Sequence, residues 1–410
     1  MISRRAFLRN GSLAVVSFGF VPLFVTRAAE AARARGKVLV TVFQRGAVDG
    51  LNMVVPFGER AYYAGRPTIA IARPNTTDGA VDLDGFFGLH PRMASLAPLF
   101  ARGELAIVHA SGSPDDTRSH FDAQDYMESG TPGVKSTRDG WLNRYLHARD
   151  HAERSPFRAV AVAPALPRSL QGVAPALAVG QLGQFGVRAG MATDAMTSSF
   201  EEQYAAAADS LLRPTGREAF DAIRMMKEAG LSRPSPGATA YPRSGFGEAM
   251  RQVAALIKAD VGLEVAFTEL GQWDHHANEG GSTGQLANRL DDFARALAAF
   301  TADLGDRMAD VVVVTMSEFG RTVRENGNRG TDHGHGNAML VIGGSVKGGR
   351  VYGRWPGLER DQLWQGRDLA ITTDFRSVFT EVLNAHLGAL DTSNVFPGYQ
   401  RGQTLGFMKT

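Results

Sequence analysis

Short apolar runs rich in β-branched residues alternate with longer amphipathic stretches along this chain. Residues 37–43, 105–109, 159–163, 263–268, 311–315 and 339–342 are short, mainly apolar runs rich in β-branched residues, which predicts strands buried on both faces. Between them a helical period predicts helices over 93–102, 119–129, 246–260, 284–304 and 375–387. Pro91 and Gly103 bracket the first, Ser119 opens the second, and Asp374 is the expected N-cap of the last. Such strands alternating with helices predict an α/β fold, a mostly parallel sheet flanked by helices. Residues 164–245 break the rhythm. Pro, Gly, Ala and Ser are frequent there, and the helical stretches 199–212 and 217–229 stand apart from any strong strand. This region is expected to be an inserted cap over one sheet edge. No tandem repeat is present. Gly343-Gly344 and Gly348-Gly349 lack the context of a nucleotide loop and read as turn glycines.

The N-terminus changes the chain that folds. Arg4-Arg5 precedes Phe7-Leu8, an apolar stretch runs over 13–25, and small residues follow at Ala28-Ala29-Glu30-Ala31-Ala32. This predicts a twin-arginine signal peptide over 1–31, with 32–410 as a single α/β domain. The apolar stretch is short and carries Gly and Ser, so no stable membrane anchor is expected. The expected location is periplasmic or secreted, with the twin-arginine translocation machinery as partner during export. The chain has no cysteine, which excludes both a lipid-anchored cysteine and disulfides. Removing 1–31 leaves 40 basic against 41 acidic residues, so a formal charge of +2 becomes −1. No global basic field remains, and nucleic acid is not an expected partner.

Two short segments carry the densest chemistry: Trp273-Asp274-His275-His276-Ala277-Asn278 and Thr331-Asp332-His333-Gly334-His335-Gly336. They hold four of the ten histidines, each pair beside an aspartate, and His120 lies in a third segment with Asp122. Imidazole and carboxylate are ligands for zinc, manganese and related ions. In open α/β sheets ligands gather beyond the carboxyl ends of strands. Asp49, Arg118–Asp122, Asp274 with His276, and Glu318 with Arg321 all follow predicted strands, and Asp332, His333 and His335 come shortly after the last, so they are expected to converge on one cleft. One or two divalent ions, zinc or manganese, are the expected cofactors.

Gly46-Ala47-Val48-Asp49-Gly50-Leu51-Asn52, Arg118-Ser119-His120-Phe121, Trp273-Asp274-His275-His276, Ser317-Glu318-Phe319-Gly320-Arg321-Thr322 and Asp332-His333-Gly334-His335-Gly336 occur in this order. In this arrangement the chain resembles the exported bacterial family labelled domain of unknown function 1501, over nearly all of its mature length. That family is similar in turn to the alkaline phosphatase superfamily, which includes sulfatases and phosphodiesterases. The resemblance implies an alkaline-phosphatase-like fold and a two-metal site. One ion would take Asp49, Asp332, His333 and a nucleophile, best matched by Ser119. The other would take Asp274, His276 and His335. In such a site Arg118 and Arg321 are expected to hold the non-bridging oxygens of a small anionic ester, and Glu318 to orient a ligating histidine.

Two features depart from the superfamily pattern. His335 lies only two residues after His333, and His386 is the later alternative as third ligand. The missing cysteine removes the formylglycine of many sulfatases, and the arginine spacing after Ser111-Gly112-Ser113-Pro114 does not fit their motif. Plainer roles compete at several positions: a helix cap for Ser119, a turn for Asp49, a surface ion pair for Arg321. His275 is expected to point away from the ion, His90 and His109 to be structural, and His147 and His151 to be solvated. The leading expectation is an exported metal-dependent hydrolase of phosphate or sulfate esters. The alternative is a metal-binding structural or assembly protein of the same fold without turnover. An intramolecular phosphotransferase fits export poorly.

Overall fold

The computed structural model of the protein describes residues 36–149, 155–182, 225, 240–389, 391–402 and 404–409. The expected signal peptide and most of the expected cap, including its two helical stretches, lie outside the described residues, as does His151.

The main sheet is built from β1 (Val38–Gln44), β5 (Leu105–Gly112), β6 (Ala159–Ala161), β7 (Leu177–Ala178), β8 (Val265–Leu270), β9 (Val311–Met316), β10 (Asn337–Gly343), β11 (Arg350–Tyr352) and β12 (Thr373–Asp374). Its order is β11-β5-β10-β9-β1-β8-β6-β7, with β12 also paired to β5. β2 (Val54–Val55), β3 (Val81–Asp82) and β4 (Gly88–Leu89) form a small separate sheet. In the main sheet only β10 runs against the rest: it is antiparallel to both β9 and β5, while the other pairings are parallel. The mostly parallel α/β architecture is the one the apolar runs predict.

The mainly apolar character of the strands has a direct cause. Val38, Val40 and Val42 of β1 enter one buried cluster with the helices Gly245–Lys258 and Gln285–Leu304. Leu39 and Phe43 enter a second cluster with the helices Trp141–Ala148 and Phe375–Ala385. β9 divides the same way, Val311 and Val313 against Val312, Val314 and Met316. Side chains alternate between faces and both faces are covered, so both sets are mainly apolar, and the few polar members, such as Thr41 and Thr315, are buried with hydrogen-bond partners.

The helix ends follow the capping residues. Ser244 accepts from the Gly247 N–H and Asp374 from the Arg376 N–H. The stretch expected as one helix over 93–102 divides into a 3-10 turn, Pro91–Leu96, and a short α-helix, Ala97–Ala101. Pro98 has no N–H for the carbonyl one turn back, which ends the first piece. The described part of the expected cap supplies β7, which extends the sheet at its edge. No helix among the described residues is long and apolar enough to cross a membrane.

Candidate metal centre

The carboxyl ends of β1, β5, β8 and β9 share one edge of the sheet, and the reversed strand β10 begins there. The loops leaving this edge carry the polar motifs. Gly46 and Ala47 turn the chain out of β1 with positive φ. Ser119 caps the helix His120–Ser129, accepting from the Asp122 N–H, so His120 sits on its first turn. The chain from β9 folds back beside the approach to β10, with a bridge between Arg321 and His333. Glycine is needed at this crossing: a Cβ on Gly320 would land on the Gly336 carbonyl, and one on Gly334 on the Arg321 backbone.

Three imidazoles converge on the Asp274 carboxylate. His120 Nε2 lies 3.4 Å from Oδ2, while His276 Nε2 and His333 Nε2 lie 3.0 and 3.2 Å from Oδ1. The two latter nitrogens are 2.9 Å apart. His120, Asp274 and His333 offer ligand atoms that all lie within 4.8 Å of one another. A tetrahedral ion with bonds near 2.0–2.1 Å separates its ligand atoms by roughly 3.3 Å, close to these spacings. His120 Nε2 is buried without a hydrogen-bond partner, as a nitrogen kept for an ion would be. The donor set fits zinc or a related divalent ion.

Each ring is held from behind. His120 Nδ1 is 2.8 Å from Glu318 Oε1, His333 Nδ1 is 2.8 Å from the Arg118 carbonyl, and His276 Nδ1 is 3.1 Å from Asp332 Oδ1. A carboxylate or carbonyl on Nδ1 fixes the tautomer and turns Nε2 toward the cradle. Glu318 is fully buried, and its Oε1 also accepts from the Gly46 N–H and Gln124 Nε2, both at 2.8 Å. Arg321, also buried, donates to the carbonyls of Gly46 (2.5 Å), Ala47 (2.7 Å), Thr331 (3.2 Å) and Trp273 (3.2 Å), and to Asp274 Oδ1 (2.6 Å). It ties three site loops together.

The protonation pattern keeps the carboxylates charged. Burial pushes Asp274 up, but the Arg321 bond and charge hold it down to about 2. Burial likewise opposes the charge on Glu318, and the bonds from His120 and Gln124 bring it below the usual range. The Glu318 bond raises His120, whereas burial lowers His333. The Asn326 bond lowers Asp332.

Of the residues expected from sequence, Asp274, His276, Asp332 and His333 are brought together, with Glu318 behind them. His120 joins them as a contact the expected ligand sets did not include. Its signal was available, since it follows a site-edge strand and lies next to Ser119. Asp49 stands apart: it is buried, pairs with the buried Arg66, and accepts from the Leu51 N–H. Glu279 lies against it, pushed well above the carboxylate range by burial and then by the Asp49 charge, so Glu279 carries the proton of this pair. His335 also stands apart, stacked on Trp364 with ring centres 5.1 Å apart. Arg118 pairs with the buried Asp368 at 2.8 Å and reaches the cradle through its carbonyl. Ser119 is exposed and serves as the helix cap. His386 binds the Val38 carbonyl at 3.0 Å, at the opposite end of β1. His109 binds the Val54 carbonyl at 3.0 Å within the fold.

Fold and site together define an α/β protein with a histidine–carboxylate cradle at the carboxyl edge of a mostly parallel sheet. The model of the family described as "Protein of unknown function (DUF1501)" matches residues 36–397, and the chain belongs to that family. No curated protein matches the chain. Among solved structures, PsFucS1 sulfatase from Pseudoalteromonas sp. is similar at 13% identity and a TM-score of 0.36, covering 94% of this chain and 75% of that one. The lipoteichoic acid synthase LtaP from Listeria monocytogenes is similar at 10% identity and a TM-score of 0.30. That alignment covers 70% of this chain and 57% of the synthase. Both likenesses are distant, and the case for a metal centre rests on the side chains.

Proposed function

We propose that the protein is an exported metal-dependent hydrolase of small anionic esters, phosphate or sulfate. The observation that carries this reading is the cradle: His120, His333 and Asp274 offer ligand atoms within 4.8 Å of one another, His276 Nε2 lies beside two of them, and each ring is oriented from its far side. This cradle would hold one divalent ion, zinc or manganese. A second, as in the two-metal arrangement, would have to draw on Asp332 and His276, because Asp49 and His335 are engaged elsewhere. Export by the twin-arginine route, with delivery to the periplasm or beyond, is part of the same proposal and rests on Arg4-Arg5 and the apolar stretch behind them.

A bound divalent ion supplies Lewis acidity to an ester oxygen and activates an attacking oxygen nucleophile. The residues do the rest. Glu318 and the Arg118 carbonyl keep His120 and His333 aligned, and Arg321 keeps Asp274 ionised and fixed. Ser119, beside His120 at the start of a ten-residue helix, lies where an anionic ester meets free N–H groups. Its hydroxyl is the candidate nucleophile. Its present engagement as a cap favours the second reading, a metal-binding structural protein without turnover.

Elemental analysis and an ester panel separate these. Wild-type protein purified without chelators should hold at least one divalent ion, and the His120→Ala/His333→Ala variant should hold none. Chelation should abolish turnover of aryl phosphate or sulfate esters. Ser119→Ala should keep the ion and lose at least about a hundredfold in rate if its hydroxyl attacks. Equal metal content in wild type and the double variant overturns the metal centre. Full metal loading with no turnover of any ester establishes the structural reading.

A further inference from the structure

A cleft of about 540 Å³ opens beside the cradle, lined by Gln272, Asp274, His275, Gln285, Asn288 and Arg289. Its volume lies within the roughly 300–1,000 Å³ that houses whole small-molecule ligands, more than one reacting group requires. Its six lining side chains are polar. The one carboxylate among them, Asp274, already faces Arg321 and the imidazoles. Arg289, in contrast, pairs with no carboxylate among the described residues; its side-chain hydrogen bond there goes to Gln272 Oε1. His275 is 8% exposed, and its Nδ1 is buried with no hydrogen-bond partner. Gln272 holds a positive φ of 67°, a conformation that an ordinary L residue adopts at a cost and that places its side chain against Arg289.

The helix Gln285–Leu304 adds to this. Gln285, Asn288 and Arg289 occupy its first turns on one face, and its N-cap Gly284 supplies no side-chain acceptor. Gln285 Nε2 is spent on the carbonyls of Ala277 and Asn278, at 3.1 and 2.9 Å, which anchors the cleft wall. The positive end of the helix and an uncompensated guanidinium therefore face the same cleft.

We propose that this cleft binds a second anionic group of the substrate, so that the site selects esters carrying another negative charge beside the one at the cradle. Resting on the hydrolase reading, the proposal assigns Arg289 as the charge-recognising residue, with Asn288 and His275 as hydrogen-bonding neighbours. Guanidinium matches a carboxylate, phosphate or sulfate with two parallel donors, and it does so better than an amide or an ammonium.

The test is calorimetric titration of the metal-loaded protein with pyrophosphate and with inorganic phosphate. Wild type should bind pyrophosphate at least about tenfold more tightly than phosphate, the size of a charge-assisted contact. Arg289→Gln should remove that preference and leave metal content, thermal melting and phosphate affinity in place. Asn288→Asp, at an exposed position one residue away, should remove it by repulsion. An unchanged preference in both variants, or no preference in wild type, overturns the proposal. If wild type proves metal-free, the same titrations are made on it. Binding of pyrophosphate that Arg289→Gln abolishes then supports the cleft while the metal reading fails. Binding that ignores Arg289 overturns the cleft.

Discussion

Glu318→Gln isolates what a single buried charge does for the cradle. Glu318 Oε1 accepts from His120 Nδ1, Gln124 Nε2 and the Gly46 N–H, all at 2.8 Å, and Oε2 lies 3.2 Å from Ser317 Oγ. Truncation to Ala would orphan three donors in a buried site, at about 1–3 kcal/mol each. That sum approaches the whole stability of an ordinary domain, about 5–15 kcal/mol, and would confuse unfolding with lost function. Glutamine avoids this. Its carbonyl can take the Oε1 position with all three donors satisfied, and its amide then faces Ser317 Oγ, which can accept. Shape and hydrogen bonds survive and only the charge is lost. His120 then loses the carboxylate that makes Nε2 a stronger donor to an ion, worth about 10- to 100-fold in metal affinity. Competition with a chromophoric chelator measures this, and a thermal melt in excess chelator checks the fold. Unchanged affinity in a folded variant would show that His120 is not a ligand or that Glu318 does not act through it.

Three further outcomes are expected. Arg66→Met should cost about 3–5 kcal/mol in urea unfolding by stranding the buried Asp49, whereas Asp49→Asn should leave metal stoichiometry unchanged; loss of an ion would return Asp49 to the ligands. Gly320→Ala and Gly334→Ala should each reduce metal content, because the added Cβ must push apart the two strands of chain that carry Arg321 and His333; full occupancy in both would refute the close approach. Burial holds His90, His109 and His386 down to about 4 from 6.5, so the unfolded chain takes up protons that the folded chain refuses. Their stabilisation is complete above about 6.5 and is lost as pH falls toward 4, and the urea midpoint of the chelated protein should drop across that window; a flat midpoint would refute it.

Strands of the central sheet were legible because their burial is two-sided and their runs are mainly apolar, and the helices because their apolar residues recur with a helical period. β5 runs three residues past its expected end, because Ser111 and Gly112 look like a turn in sequence, whereas the Ser111 hydroxyl is satisfied inside the fold by Met339 Sδ. The reversal of β10 was invisible, since a strand buried on both faces reads the same in either direction. The convergence of Asp274, His276, Asp332 and His333 followed from one topological rule, that site loops leave the carboxyl ends of parallel strands. What failed to follow was pairing. Nothing in Gly46-Ala47-Val48-Asp49 announces that Arg66, seventeen residues on, will neutralise Asp49 inside the fold. His120 was overlooked as a ligand because Ser119 beside it matched a nucleophile, and the capping role of Ser119 is what turns His120 into the cradle.

The lone reversed strand has a consequence for how the protein comes into being. β9 and β10 are neighbours in both sequence and space, so they can pair with little loop closure while the parallel neighbours await distant segments. Glu318, Arg321, Asp332 and His333 all lie on the connection between them. One ring of the cradle, His333, and the groups that hold the other ligands thus belong to one local hairpin-like unit, whereas Asp274, His276 and His120 arrive only when β8 and β5 dock. The topology therefore lets the supports of the site form before its ligands, so that the positions of Asp274, His276 and His120 are set by a frame already in place when β8 and β5 dock.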